Sequence, residues 1–268
     1  MASLAVINFD PSFFWHYLLQ PSQGYLQGLA LTFGLAVAGQ TLGVVIGLLA
    51  AFARLSRAWP LRSIARLYTW VIRGTPLLVQ IVFVYTALAA AGIFRFHDIQ
   101  LGPFTFAGNI QAAIVALSLN EGAYMSEIIR AGILSVDPGQ TEAAKSLGMT
   151  YAKSMRLVVL PQAARFVIPP LGNEFNSMLK NTSLVSVIGV QELLLSTNTL
   201  VSATFRVFEL LLVVATYYLL LTTAWGLVQS RIERYFGKST SAADGPSVLE
   251  RLTSLVRPTE ADDASDGR

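Results

Sequence analysis

Residues 29–52 read LALTFGLAVAGQTLGVVIGLLAAF, and no Asp, Glu, Lys or Arg lies between Asp10 and Arg54. A helix of about 20 apolar residues crosses the hydrocarbon core of a bilayer. This stretch therefore predicts a membrane-spanning helix. A cleavable signal peptide carries basic residues ahead of its apolar core, and no Lys or Arg precedes Arg54. We therefore expect the first span to be a true membrane helix.

Four further apolar stretches are long enough to cross a bilayer, at residues 74–94, 106–129, 158–179 and 207–228. Of all residues, 53% are hydrophobic and 13% are charged, whereas a soluble domain carries about 25% charged residues. The fold class that follows is an all-α integral membrane protein with about five transmembrane helices. Cysteine is absent and the two histidines are distant in sequence, so no metal site is predicted.

The basic residues divide unevenly between the two sides of these stretches. Sixteen of the 19 Lys and Arg residues fall on one side. They are Arg54, Arg57, Arg62, Arg66, Arg73, Arg130, Lys145, Lys153, Arg156, Arg165, Arg231, Arg234, Lys238, Arg251, Arg257 and Arg268. The other side has Arg95, Lys180 and Arg206. The positive-inside rule then predicts an external N-terminus and a cytoplasmic C-terminus.

The chain divides into three parts by composition. Residues 1–28, which are rich in aromatic side chains, are predicted to form an external N-terminal segment. Residues 29–236 form the transmembrane domain. Residues 237–268, rich in Ser, Ala, Asp, Gly and Pro, predict a disordered cytoplasmic tail with a short helix around residues 248–256.

Residues 137–156, between the third and fourth stretches, contain a short helix bounded by strong start and stop signals. Asp137 is a suitable N-cap and Pro138 a suitable first residue. Gly148 can end the helix and Thr150 can begin another. This loop lies on the side with most of the basic residues. We therefore predict an isolated cytoplasmic helix able to dock onto a partner.

Several stretches resemble one family of membrane proteins. Glu142-Ala143-Ala144, followed by Gly148 and then Leu160-Pro161, resembles the "EAA" loop of bacterial ABC-importer permeases. Three more stretches resemble the spans of the polar amino-acid (histidine/glutamine/arginine-type) importer permeases. They are Arg73-Gly74-Thr75-Pro76-Leu77-Leu78-Val79-Gln80, Gly122-Ala123-Tyr124 with Glu127-Ile128-Ile129-Arg130, and Asn173-Glu174-Phe175 with Leu179-Lys180-Asn181-Thr182-Ser183-Leu184. The resemblance covers about residues 25–236.

This resemblance implies a type I ABC-importer permease in the bacterial inner membrane. Such a subunit pairs with a second permease, either the same or similar, above two cytoplasmic ABC ATPase subunits. An extracytoplasmic binding protein delivers the amino acid. The short helix on the EAA loop inserts into a groove on the ATPase, which assigns coupling to Glu142, Ala143, Ala144 and Gly148. For Glu142, the alternative is an acidic side chain that is merely solvated on the helix surface.

The sequence has no nucleotide-binding motif of its own. Gly237-Lys238-Ser239 resembles the end of a phosphate-binding loop, but position 232, where the first glycine would stand, is Ile232. We therefore predict no catalytic residue and no cofactor in this chain, and assign ATP and magnesium to the partner ATPase. No nucleic-acid partner is predicted.

Polar residues inside the apolar stretches are candidates for the substrate pathway. Ionisable groups within a bilayer are costly and usually face protein or a water-filled cavity. The candidates are Glu121, Asn173, Glu174, Asn176 and Lys180. Carboxylates would accept hydrogen bonds from a substrate ammonium group, while Lys180 or the asparagines would donate to its carboxylate. The alternative is that these groups only pair with one another across the helix bundle.

Gly39, Gly43 and Gly47 recur at four-residue spacing in the first span. They form one helix face that allows another helix to approach closely. Helix packing and pathway lining both remain open for this face. At the level of the whole chain, two alternatives to an ABC permease also remain, a secondary transporter or channel acting without an ATPase, and a membrane scaffold that transports nothing.

Overall fold

The computed structural model describes residues 9–237, and the predicted tail helix around residues 248–256 lies outside them. The described residues form nine helices and a two-stranded antiparallel hairpin. The helices are α1 (Pro11–Leu19), α2 (Gln23–Leu55), α3 (Trp59–Arg73), α4 (Leu77–Ala90), α5 (Gly108–Leu134), α6 (Pro138–Ser146), α7 (Tyr151–Ile188), α8 (Leu193–Thr204) and α9 (Val207–Gly237). The hairpin strands are β1 (Ile99–Leu101) and β2 (Phe104–Phe106).

Two of the described helices, α2 and α9, are each long and apolar enough to cross a membrane. Two bent pairs, α3 with α4 and α7 with α8, raise the number to four if each pair forms one span. Helix α5 has 27 residues and carries Asn120 and Glu121 at its middle. Membrane helices are confirmed, and the total of five remains a prediction.

The second predicted span, residues 74–94, contains α4, which is shorter than the expected helix and follows a sharp bend. Residues 74–94 were expected to form one helix, but α3 ends at Arg73 and α4 begins at Leu77, with a 108° bend between them. Pro76 has no backbone N–H and disfavours helical geometry at Thr75. The residues expected to form a loop before this span instead form α3, which turns Ala65 and Thr69 toward the protein.

Helices α2 and α5 pack closely along three glycines of α2. A Cβ atom on Gly39 would lie 3.2 Å from Leu117 Cβ. One on Gly43 would lie 2.5 Å from Glu121 Cγ, and one on Gly47 would lie 2.4 Å from Met125 Cβ. The partner advances by four residues each time the glycine does, so the two helices run in the same direction. The glycines allow the backbones of α2 and α5 to approach closely, so the middle of α5 lies against α2.

The fourth predicted span lies inside a longer helix. Residues 158–179 were expected, and α7 runs through Pro169 and Pro170 to Ile188 before a 52° bend into α8. The bend is held by Glu192, a fully buried side chain that accepts hydrogen bonds from Leu194 N, Leu195 N and Tyr218 Oη at 2.8–2.9 Å. Helices α2, α5, α7 and α9 thus form the bundle that surrounds the candidate site.

Candidate functional site

The loop between α5 and α7 presents the predicted docking helix. Asp137 caps α6 by accepting a hydrogen bond from Gly139 N at 2.8 Å. The chain leaves the helix through Gly148, whose φ of +74° belongs to the left-handed region that favours glycine. No other atom lies within 4 Å of a Cβ placed on Gly148. Backbone conformation, rather than crowding, therefore calls for glycine at this position.

The two alanines of this loop lie on different sides of α6. Ala143 is exposed together with Glu142 and Leu147, whereas Ala144 is 3% exposed and packs inside the chain. This differs from the expectation that both alanines face a partner groove. The inward placement of Ala144 holds α6 against the rest of the protein. Glu142, Ala143 and Leu147 make up its outward surface.

A second candidate site lies at the middle of the bundle, around Glu121 on α5. Its side chain is 4% exposed and accepts a hydrogen bond at 2.9 Å from Gln40 Nε2 on α2. Gly43 leaves room for it, because any Cβ there would overlap its side chain. No salt bridge within residues 9–237 involves Glu121. A buried carboxylate without a cation is costly to keep inside a membrane.

Hydrogen bonds of Gln80 connect the break between α3 and α4 to Asn120, the residue before Glu121. Gln80 Nε2 lies within hydrogen-bonding distance of Ile72 O at 2.7 Å and of Thr75 Oγ1 at 2.8 Å. Gln80 Oε1 accepts from Asn120 Nδ2 at 3.0 Å. The Gln80 amide thus replaces backbone hydrogen bonds lost at the break, which non-helical backbone at membrane depth requires.

Arg73, at the end of α3, is a site residue that the sequence-based candidate set did not include. Its guanidinium lies 5.4 Å from the centre of the Tyr124 ring, and no salt bridge within residues 9–237 joins it to a carboxylate. Glu174 is half-buried on α7. The helix-breaking sequence Gly74-Thr75-Pro76 was the signal that Arg73 stands at the exposed end of a helix.

The polar residues predicted along the fourth span separate in the structure. Asn173 Oδ1 accepts from Gln229 Nε2 of α9 at 3.0 Å, so this amide is already used in helix packing. Asn176 Oδ1 is buried and has no hydrogen-bond partner. Lys180 is exposed, and the described residues offer it no salt bridge. Of this set, Glu174 is half-buried, and no salt bridge within residues 9–237 involves it.

Within residues 9–237 no group of three or more His, Cys, Asp or Glu side chains is arranged to hold a metal ion. The chemistry that the cluster offers is instead recognition by charge. Glu121 on α5 and Glu174 on α7 supply two carboxylates, and Arg73 supplies a guanidinium at the break between α3 and α4. Broken helices near the membrane midplane are common at the substrate sites of transporters.

Comparison with known proteins agrees with this architecture. A family model described as "Binding-protein-dependent transport system inner membrane component" matches residues 43–238. The chain is 40% identical over 209 residues to the glutamine transport system permease protein GlnP of Escherichia coli (strain K12), covering 78% of this chain and 91% of that protein. It is 39% identical over 213 residues to the arginine transport system permease protein ArgU of Corynebacterium glutamicum, covering 78% and 67%.

Solved structures give the same result. An amino acid ABC transporter with histidines superimposes with a TM-score of 0.73 at 38% identity, covering 85% of this chain and all of that one. The MetNI methionine ABC transporter, in an inward-facing conformation, superimposes with a TM-score of 0.62 at 18% identity. The second match shows the shared fold alone.

Proposed function

Because the chain belongs to the family of binding-protein-dependent transport system inner membrane components, we propose that it carries a polar or charged amino acid into the cytoplasm. It is a permease subunit of an ABC importer, and relatives with about 40% identity are named for glutamine and arginine transport. The observation that carries the proposed substrate is Glu121, a buried carboxylate inside the bundle that no salt bridge within residues 9–237 neutralises.

Glu121, Glu174 and Arg73 together offer side chains that match the two charged ends of an amino acid. A carboxylate accepts hydrogen bonds from an ammonium group, and a guanidinium donates to a carboxylate. Glu121 and Glu174 would take the ammonium end, and Arg73 would take the carboxylate end. Asn176, whose buried Oδ1 has no partner, is a further candidate on the same helix as Glu174. Asn173 and Lys180 would serve packing and the pathway surface.

Energy for transport would come from two separate ATPase subunits, which bind ATP and magnesium. A second permease subunit and an extracytoplasmic binding protein would complete the importer. The exposed face of α6, formed by Glu142, Ala143 and Leu147, is the surface proposed to contact the ATPase. The N-terminus would lie outside and the C-terminus in the cytoplasm, as the distribution of basic residues predicts.

The coupling role of α6 is tested by Glu142→Lys. The reversed charge lies on the exposed face of α6. We expect the variant to insert into the membrane but to retain at least tenfold less of the ATPase subunit, which corresponds to a loss of about 1.4 kcal/mol in binding free energy. Co-purification of the ATPase and substrate-stimulated ATP hydrolysis measure this effect.

A pair of variants at Gly148 separates backbone geometry from bulk. Gly148→Val forces a β-branched residue into the left-handed region and is expected to weaken coupling. Gly148→Asn is expected to be milder, because Asn tolerates positive φ. Normal ATPase retention and uptake in Glu142→Lys and Gly148→Val would show that this loop is not the coupling element.

A further inference from the structure

A cavity of about 700 Å³ opens between the end of α2 and the loop that carries α6. Cavities of about 300–1,000 Å³ accommodate small organic ligands. Its walls come from Phe52, Leu55 and Arg57 on one side and from Lys145 and Tyr151 on the other. The cavity therefore joins the last turn of a membrane helix to the proposed coupling helix.

Among residues 9–237, the two cations of this cavity have no anionic partner. Arg57 and Lys145 are exposed and take part in no salt bridge formed by residues 9–237. By contrast, the nearby Arg54 is paired with Glu127. No Asp or Glu lines the cavity, whereas the hydroxyl-bearing Ser56 and Thr141 do. Positive charge and hydroxyl groups together suit a phosphate-bearing ligand.

The walls also change polarity along one direction. Phe52 and Leu55 belong to the last turns of α2, which is one of the two described helices apolar enough to span a membrane on its own. Arg57 follows where that helix has ended, and Lys145 lies on α6. An apolar wall at the membrane boundary that gives way to cations matches the order of acyl chain and headgroup in a phospholipid.

We propose that this cavity binds the headgroup of an anionic phospholipid of the inner leaflet. The phosphate group lies between Arg57 and Lys145, and the upper part of an acyl chain contacts Phe52 and Leu55. This inference rests on the orientation given under the proposed function, which puts the end of α2 at the cytoplasmic surface. Anionic lipids are concentrated at that surface and attract basic residues there.

A lipid held in this way bridges two elements that move relative to each other if α6 transmits ATPase closure. One wall belongs to a span and the other to the coupling loop, so occupancy ties the loop to the membrane. The lipid would thereby act on coupling without touching the amino-acid site. ATP hydrolysis by the assembled importer should then depend on the fraction of anionic lipid, even at saturating substrate.

The test uses the complete importer in nanodiscs of phosphatidylethanolamine with increasing phosphatidylglycerol, and native mass spectrometry of the retained lipid. We expect the importer to retain phosphatidylglycerol in preference to phosphatidylethanolamine. We expect this retention of phosphatidylglycerol to fall by about 25-fold in the double variant Arg57→Gln/Lys145→Gln. Each basic residue near an anionic surface contributes about a factor of five. Lys153→Gln, at an exposed lysine in the first turn of α7 that does not line the cavity, should retain the lipid like wild type.

Three results would overturn the proposal. The first is equal lipid retention by the double variant, and the second is equal loss in Lys153→Gln. The third is displacement of the lipid by millimolar inorganic phosphate, which would identify a site for a free anion. If the double variant keeps the lipid but loses the ATPase, the first of these results has been obtained, and Arg57 and Lys145 would instead contact the ATPase. Lipid retention is measured without transport, so failure here leaves the proposed amino-acid uptake untouched.

Discussion

Replacing Gly47 with alanine is expected to destabilise the folded chain more than any other single methyl group added to α2. The new Cβ would lie 2.4 Å from Met125 Cβ and 2.9 Å from the backbone nitrogen of Ser126. Side-chain rotation cannot relieve a contact with Cβ and backbone atoms, so α2 and α5 must move apart. Overpacking of this kind costs about 1–3 kcal/mol. Thermal unfolding of the detergent-purified protein measures the loss.

Gly34 on the same helix provides the matched control. No other atom lies within 4 Å of a Cβ placed there, so Gly34→Ala adds the same methyl group in open space and should leave the unfolding temperature near that of wild type. Equal effects of the two substitutions would show that the close approach of α2 to α5 does not determine stability. Separation of α2 from α5 should also displace Glu121, since Gly43 lies directly opposite its side chain.

Replacing Glu121 with glutamine is expected to reduce substrate uptake by roughly tenfold or more while leaving assembly and basal ATP hydrolysis near normal. The substitution keeps the shape of the side chain and its hydrogen bond to Gln40, but removes the charge. Loss of a hydrogen bond to a charged group costs about 1.5–3 kcal/mol. The apparent affinity for the amino acid, measured from uptake as a function of its concentration, should carry most of the change.

Two other outcomes distinguish the alternatives for Glu121. A purely structural role of the charge predicts that Glu121→Gln lowers expression or assembly rather than the apparent affinity for the amino acid. Glu121→Asp, which keeps the charge on a shorter side chain, should recover part of the uptake if charge recognition is the cause. A stable, assembled Glu121→Gln importer with unchanged uptake kinetics would remove this residue from the site.

Local rules predicted the parts of the fold that depend on neighbouring residues. The N-cap at Asp137, the proline at position 138 and the glycine at position 148 defined α6 to within about two residues of its bounds in the structure. The apolar stretch at residues 29–52 gave α2, whose helix starts earlier, at Gln23, because Ser22 caps it. Such signals lie within one turn of the boundary they determine.

The same local rules could not predict features that depend on contacts between residues distant in sequence. The basic-residue count assigned Arg73 to one side of the membrane, whereas its contact with the Tyr124 ring involves a helix distant in sequence. Asn173 and Glu174 are adjacent in sequence, yet Asn173 is exposed and pairs with Gln229 on α9, whereas Glu174 is half-buried. The inward burial of Ala144 likewise depends on how α6 packs against the bundle. A polar face on a helix does not reveal which neighbour each side chain meets.

The most direct measurement of the central claim is uptake of a labelled amino acid into proteoliposomes that contain this permease with its ATPase subunits and binding protein. Glutamine, arginine and histidine would form the first panel, since related permeases or solved transporters are named with these amino acids. We expect accumulation of at least one of them that requires ATP, the ATPase and the binding protein together. Equal transport by the purified chain alone, without ATPase or ATP, would contradict the assignment and identify a secondary transporter or channel.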